Sequence, residues 1–214
     1  MRKGLFITFE GIDGCGKSTQ VIRAKRALEK NGVPCIVTRE PGGTAIGERI
    51  RRLLLSPRNG EICDECELLL YCAARAQHVA EIIVPAMERG EVVLCDRYAD
   101  ATFAYQGFGR GLPTKALENI NAFATSGASP ALTFLFDISV ATSLKRLKQT
   151  GKAIDRLEAG GKEFYEKVRQ GYLSLARQYP RRVLVTPGES SIEEVSDMVC
   201  ARIMKLVDRQ KLSV

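Results

Sequence analysis

Gly11-Ile12-Asp13-Gly14-Cys15-Gly16-Lys17-Ser18 stands between an apolar run, Leu5 to Phe9, and a segment in which Val21, Ala24 and Leu28 recur at helical spacing. No other stretch limits the fold so strongly. Glycines at these positions let the backbone wrap tightly, so that its N–H groups converge at a helix N-terminus and hold phosphate oxygens. A strand, a short loop and a helix must then follow one another directly. In that context Gly11 to Thr19 cradles a nucleoside triphosphate, Lys17 reaches the outer phosphates, and the Ser18 hydroxyl ligates Mg²⁺.

Four further β-like runs follow: Val33 to Thr38, Val92 to Cys95, Leu132 to Asp137, and Val183 to Thr186. Helical patterns separate them. Such alternation predicts an α/β chain of the P-loop NTPase type, a five-stranded parallel sheet with right-handed crossovers and helices on both faces. Asn31-Gly32 marks the end of the first helix, and Ser191 with Glu194 forms a capping box opening the last, which runs towards Arg209. No repeat or low-complexity linker interrupts the chain, so residues 1–214 are expected to form one domain.

Composition narrows the function classes. The apolar stretches fall short of the roughly 20 residues that a membrane helix needs, and the N-terminal residues do not read as a secretory signal. Seven cysteines are scattered along the chain, and the single Cys63-x-x-Cys66 pair is short of the four ligands of a zinc site. A reduced, cytoplasmic setting is expected. The net charge of +7 is local: between Lys145 and Arg182 there are 11 Lys/Arg against 4 Asp/Glu, which equals the whole excess. A cluster of that kind beside a phosphate loop serves nucleotide phosphates better than a nucleic-acid backbone.

Ligands on parallel sheets gather at the carboxyl ends of the strands, which directs attention to the residues just after each run. Val92-Val93-Leu94-Cys95 ends in Asp96, a carboxylate suited to Mg²⁺ beside the triphosphate. Arg97 is a fixed cation able to bridge donor and acceptor phosphates. Tyr71 and Arg75, four apart, share a helix face on which a ring can stack on a base and a guanidinium can meet its rim. Arginine only donates, which suits O4 of thymine or uracil and not the amino group of cytosine. A core Tyr with a structural Arg at its edge is the bland alternative. His78, on the same face, reads as structural.

These elements, with Arg39-Glu40-Pro41-Gly42-Gly43-Thr44, Asp96-Arg97-Tyr98 and Ala104-Tyr105-Gln106-Gly107, come in the order found in bacterial thymidylate kinases, and Asp155-Arg156-Leu157-Glu158 is similar to that family's lid. The resemblance implies γ-phosphoryl transfer from ATP to dTMP, giving dTDP and ADP, with Mg²⁺, in a homodimer. It implies that Asp13 contacts the acceptor 3′-hydroxyl or its metal-bound water, and that Arg39 and Arg97 grip the dTMP phosphate. Tyr71 then stacks on thymine, Arg75 meets O4, Thr102 and Gln106 line the base edge, and Tyr105 crowds the 2′ position. Arg156 and other cations of a lid at about 145–162 close over ATP, and the loop at Pro187 and Gly188 borders adenine.

Two departures from the family pattern stand out. Gly14 occupies a loop position where some members carry arginine, which moves positive charge to the lid. That lid has Lys148 and Lys152 where arginines are common, so Arg156 carries more of the work. The rival readings are a kinase of another nucleoside monophosphate, and a P-loop ATPase or switch that binds nucleic acid.

Overall fold

β-Branched and aromatic residues dominate the apolar runs, and each becomes a strand: β1 Leu5–Glu10, β2 Cys35–Arg39, β3 Val92–Asp96, β4 Leu132–Asp137 and β5 Val183–Pro187. The structure, a computed structural model, describes residues 4–150, 156 and 161–212. All pairings are parallel, in the order β2-β3-β1-β4-β5. β2 begins later than the run at Val33 implied. Val33 still donates to the end of the first helix at Leu28, and Pro34 offers β3 only its carbonyl.

Alternation along the central strands separates two packed faces. Phe6, Val93 and Cys95 meet Val79, Ile83 and Ala86 on one side, while Ile7, Phe9, Leu94, Phe134 and Phe136 join the larger core on the other. Helix α1, Lys17–Lys30, buries Val21, Ala24 and Leu28 as their spacing predicts. Asn31 caps it and Gly32 follows with a positive φ of 65°. Next come α2, Ala45–Leu55, and α3, Asp64–His78, which continues through a π-helical turn, Val79–Ile83, into α4, Val84–Glu88. α5, Ala99–Thr102, runs into a second π-helical segment, Phe103–Gly109, and then come α6, Thr114–Thr125, and α7, Val140–Thr150. α8, Gly161–Gln178, packs across the Phe103–Gly109 segment, and α9, Ile192–Leu212, lies on α1. The expected capping box is formed: Glu194 N–H donates to Ser191 Oγ, and Ser191 N–H donates to Glu194.

Register sets the floor of the site. Phe9 of β1 lies beside Asp96 of β3, and Asp96 beside Arg39 of β2. Three strands therefore end at one level, with β1 at the point where the strand order reverses and a crevice opens.

Candidate active site

The glycine loop is shaped by close approach. A Cβ on Gly11 would lie 2.6 Å from the Phe136 carbonyl, and on Gly14 it would meet Ser143 O at 3.1 Å with φ at +74°. A side chain at position 14 would thus strain this loop conformation against α7. Ser143 Oγ donates to Asp13 O at 2.6 Å, and Arg146 donates to the carbonyls of Gly14 and Gly188 at 3.2 Å. α7 thereby ties the loop to the turn after β5. A cleft opens there, lined by Gly16, Thr19, Gln20, Arg146, Gly188 and Ser190 among others.

Ser18 Oγ donates to Asp96 Oδ2 at 2.6 Å. Two hard oxygen donors at the triphosphate end of a loop suit Mg²⁺, which takes few protein ligands and completes its shell with phosphate and water. Three or more clustered His, Cys, Asp or Glu are absent among the described residues.

Arg97 follows Asp96 with φ at +72°, a left-handed turn that costs a non-glycine residue about 1–2 kcal/mol. It is anchored on several sides. Its N–H donates to Phe9 O at 3.0 Å, Nη1 donates to Gly11 O at 2.9 Å and to the Tyr172 hydroxyl at 3.1 Å, and Nη2 donates to Asp13 at 2.7 Å. The Asp13 carboxylate also accepts from the hydroxyls of Tyr105 and Tyr165, each at 3.1 Å, with Lys17 Nζ 3.8 Å away. Burial pushes Asp13 up, but the charges of Arg97 and Lys17 outweigh it and hold the carboxyl well below its ordinary range.

A second cavity adjoins this cluster. Asp13, Arg97 and Tyr105 form its end near the loop, Tyr71 and Arg75 come from α3, Thr102 and Gln106 from the segment after β3, and Arg51 from α2. Arg75 is 1% exposed. Its Nε donates to Glu40 at 2.8 Å, Nη1 to Thr102 at 2.9 Å and to Asn121, and Nη2 to Tyr98 O at 3.1 Å. Gln106 Nε2 donates to the buried Glu67, which also pairs with Arg110 and Arg156. The glycine loop and a separate, tyrosine-lined chamber thus meet at one arginine, Arg97.

The sequence model of one family, described as thymidylate kinase, matches residues 9–199. The chain is 50% identical over 183 residues to a thymidylate kinase of Pelotomaculum thermopropionicum, covering 86% of this chain and 85% of that one. It is 48% identical to the thymidylate kinase of Citrifermentans bemidjiense, covering 92% and 89%. The crystal structure of thymidylate kinase from Ehrlichia chaffeensis superposes with a TM-score of 0.72 at 32% identity, over 96% of this chain and 99% of the other. The chain belongs to the thymidylate kinase family. It is a dTMP kinase that uses ATP.

Most of the residues that the sequence singles out in this kinase meet around one crevice, and two lie elsewhere. Arg39 is 54% exposed on its side chain and pairs with Glu48 at 2.9 Å, outside the cavity lining. Arg156 docks on Glu67 at 2.5 Å and donates from Nε to Leu54 O at 2.9 Å. Of the expected lid, Gly151 to Asp155 and Leu157 to Gly160 lie outside the described residues. His78 is structural, buried between Glu40 and Thr38. Glu10, Arg51, Glu67, Tyr165 and Tyr172 do not stand out in the sequence. Glu10 had one available signal, being the carboxylate between a strand and the glycine loop; Tyr172 had none beyond a helical core position.

Proposed function

We propose that dTMP occupies the tyrosine-lined cavity and that the ATP triphosphate lies on Gly11 to Thr19, with the adenosine side towards Arg146 and Gly188. The observation that carries this reading is the posture of Arg97. Both Nη1 hydrogens and one Nη2 hydrogen are used within the protein. Nε–H and one Nη2–H have no partner among the described residues, at the junction of loop and cavity. They are the donors for the acceptor phosphate and for charge spreading over the transferred group.

Tyr71 stacks on thymine, and Arg75 donates its remaining Nη2 hydrogen to O4. Gln106 has its Nε2 on Glu67, so its carbonyl oxygen is the acceptor left for N3–H. Thr102 completes the base edge. Tyr105, hydrogen-bonded to Asp13, fills the space that a 2′-hydroxyl would need, and Asp13 receives the 3′-hydroxyl or its water. Arg39 and Arg51 add charge at the phosphate, Arg39 by exchanging Glu48 for the ligand. Arg156 does the same over ATP, exchanging Glu67 and the Leu54 carbonyl for phosphate oxygens.

Chemistry in such a site is placement. The dTMP phosphate oxygen is already an anion and needs no strong base, so holding two anions in line and neutralising the charge supplies the rate. Lys17 and Arg97, both beside the Asp13 carboxylate, supply the neutralising charge. Mg²⁺, held by Ser18 and Asp96, would add Lewis-acid neutralisation between the phosphates.

We also infer one domain with its lid, working as a homodimer. Leu53 of α2, Leu69 of α3 and Phe123 of α6 are exposed on three helices that pack in that order, Phe123 by 86%, and an apolar surface of this kind favours a second copy. The seven cysteines are free thiols, which suits a reducing cytoplasm.

The deciding experiment is ADP release with ATP and Mg²⁺ over dTMP, dUMP, UMP, CMP, AMP and GMP, for the wild type and Arg97→Ala. Turnover in Arg97→Ala should fall at least about a hundredfold, as loss of a transition-state donor does. Near-normal turnover would remove Arg97 from the mechanism.

A further inference from the structure

Arg97 is held by more than the acceptor site requires. Glu10, the last residue of β1, is fully buried. One carboxylate oxygen accepts the Tyr98 backbone N–H at 2.6 Å, and the other accepts the Tyr172 hydroxyl at 2.9 Å. Tyr98 directly follows the left-handed Arg97, so the first bond clamps the strained turn. Tyr172 gives its only hydroxyl hydrogen to Glu10, which leaves a lone pair for Arg97 Nη1 at 3.1 Å. One buried carboxylate therefore grips both the backbone and the guanidinium of the same arginine.

We propose that Glu10 and Tyr172 are positioning residues for Arg97, fixing its turn and the direction of its free N–H groups towards the phosphates. The assignment rests on the role given to Arg97 above. Neither side chain lines the cavity, so both act through Arg97. The chemistry explains the residue types. Once ionised, the Glu10 carboxyl has two acceptor oxygens for two donors, whereas an amide has one. A phenol can donate to a carboxylate and accept from a guanidinium with the same atom, which phenylalanine cannot do.

The test is steady-state kinetics of Tyr172→Phe, Glu10→Gln, Arg97→Lys, and the Tyr172→Phe/Arg97→Lys and Tyr172→Phe/Glu10→Gln pairs, with thermal unfolding of each. Tyr172→Phe should lower kcat about tenfold, as loss of orientation does, with the KM for ATP within about twofold. Above about pH 8, where the Glu10 carboxyl is ionised, Glu10→Gln should act in the same direction, because its one carbonyl serves Tyr98 or Tyr172 but not both. In the Arg97→Lys background, Tyr172→Phe should change kcat by less than about twofold, and the Tyr172→Phe/Glu10→Gln effects should not multiply, since groups in one network are not additive.

If Tyr172→Phe and Glu10→Gln both keep kcat within about twofold while Arg97→Lys loses it, the positioning role is wrong and the Arg97 assignment stands. If the Tyr172 and Arg97 effects multiply, Tyr172 acts through another route and the proposal is overturned. If Arg97→Lys and Arg97→Ala both retain wild-type turnover, the Arg97 assignment itself is wrong. Should Tyr172→Phe unfold at assay temperature, Glu10→Gln in the two Arg97 backgrounds decides the same question.

Discussion

Arg75→Met replaces a guanidinium at the centre of the α3 face with an uncharged side chain of similar length. The guanidinium is 1% exposed and bonded to Glu40, Thr102, Asn121 and the Tyr98 carbonyl. Removing it strands the Glu40 carboxylate, 5% exposed, with His78 Nδ1 at 3.0 Å as its surviving side-chain partner. Breaking one half of a buried ion pair costs about 3–5 kcal/mol, because the remaining charge has neither water nor a full counterion. For a chain of this size each kcal/mol lowers Tm by about 2–4 °C, so a fall on the order of 10 °C is expected. Glu40→Gln/Arg75→Met removes both charges, and its loss should be smaller than the sum of the single losses. Urea denaturation followed by circular dichroism measures all three. A loss below about 1 kcal/mol for Arg75→Met, or a double variant as unstable as the sum, would refute the reasoning. If Arg75 also donates to O4, the KM for dTMP should rise about tenfold under conditions where the variant is folded; an unchanged KM would leave Arg75 a purely structural residue.

Tyr105→Ala should admit ribonucleotide acceptors, whereas Tyr105→Phe should keep deoxyribose preference with a modest loss of turnover from the broken bond to Asp13; unaltered selectivity in the alanine variant sinks the steric argument. Burial, with Asp100 nearby, pushes the Glu10 carboxyl up from 4.5 to about 8, against the opposing pull of Arg97 and the Tyr172 and Tyr98 hydrogen bonds. The folded state then holds a proton that the unfolded chain has lost, so Glu10 weakens stability progressively as pH rises from about 4.5 to 8. The stability of Glu10→Gln relative to wild type should therefore improve across that interval, and a pH-independent difference in urea midpoints contradicts it. Phe123→Glu should shift the kinase to monomer in sedimentation velocity at micromolar concentration; an unchanged sedimentation coefficient places the interface elsewhere.

The resemblance of Tyr71 to Arg75, Asp96-Arg97 and Tyr105-Gln106 to one family was legible because each motif is short and local. The loop carries its own geometry: glycines, a lysine and a serine within eight residues bend the backbone whatever surrounds them. Strand and helix period likewise marked β1 to β5 and the buried face of α1. The final pose of Arg39 and Arg156 was not legible, since Glu48 and Glu67 compete for them and a long cation goes where a carboxylate is nearest in space.

By itself, the sequence determined a parallel α/β sheet, a phosphate loop directly after its first strand, and the charged and aromatic residues gathered just beyond the strand ends. Tertiary structure alone decided that β3 lies between β1 and β2, and that α8 crosses the Phe103–Gly109 segment to bring Tyr172 against a carboxylate 162 residues away in the chain. Periodicity records which face of an element is buried. It does not record which buried polar groups satisfy one another, and that pairing is what holds Arg97 in place.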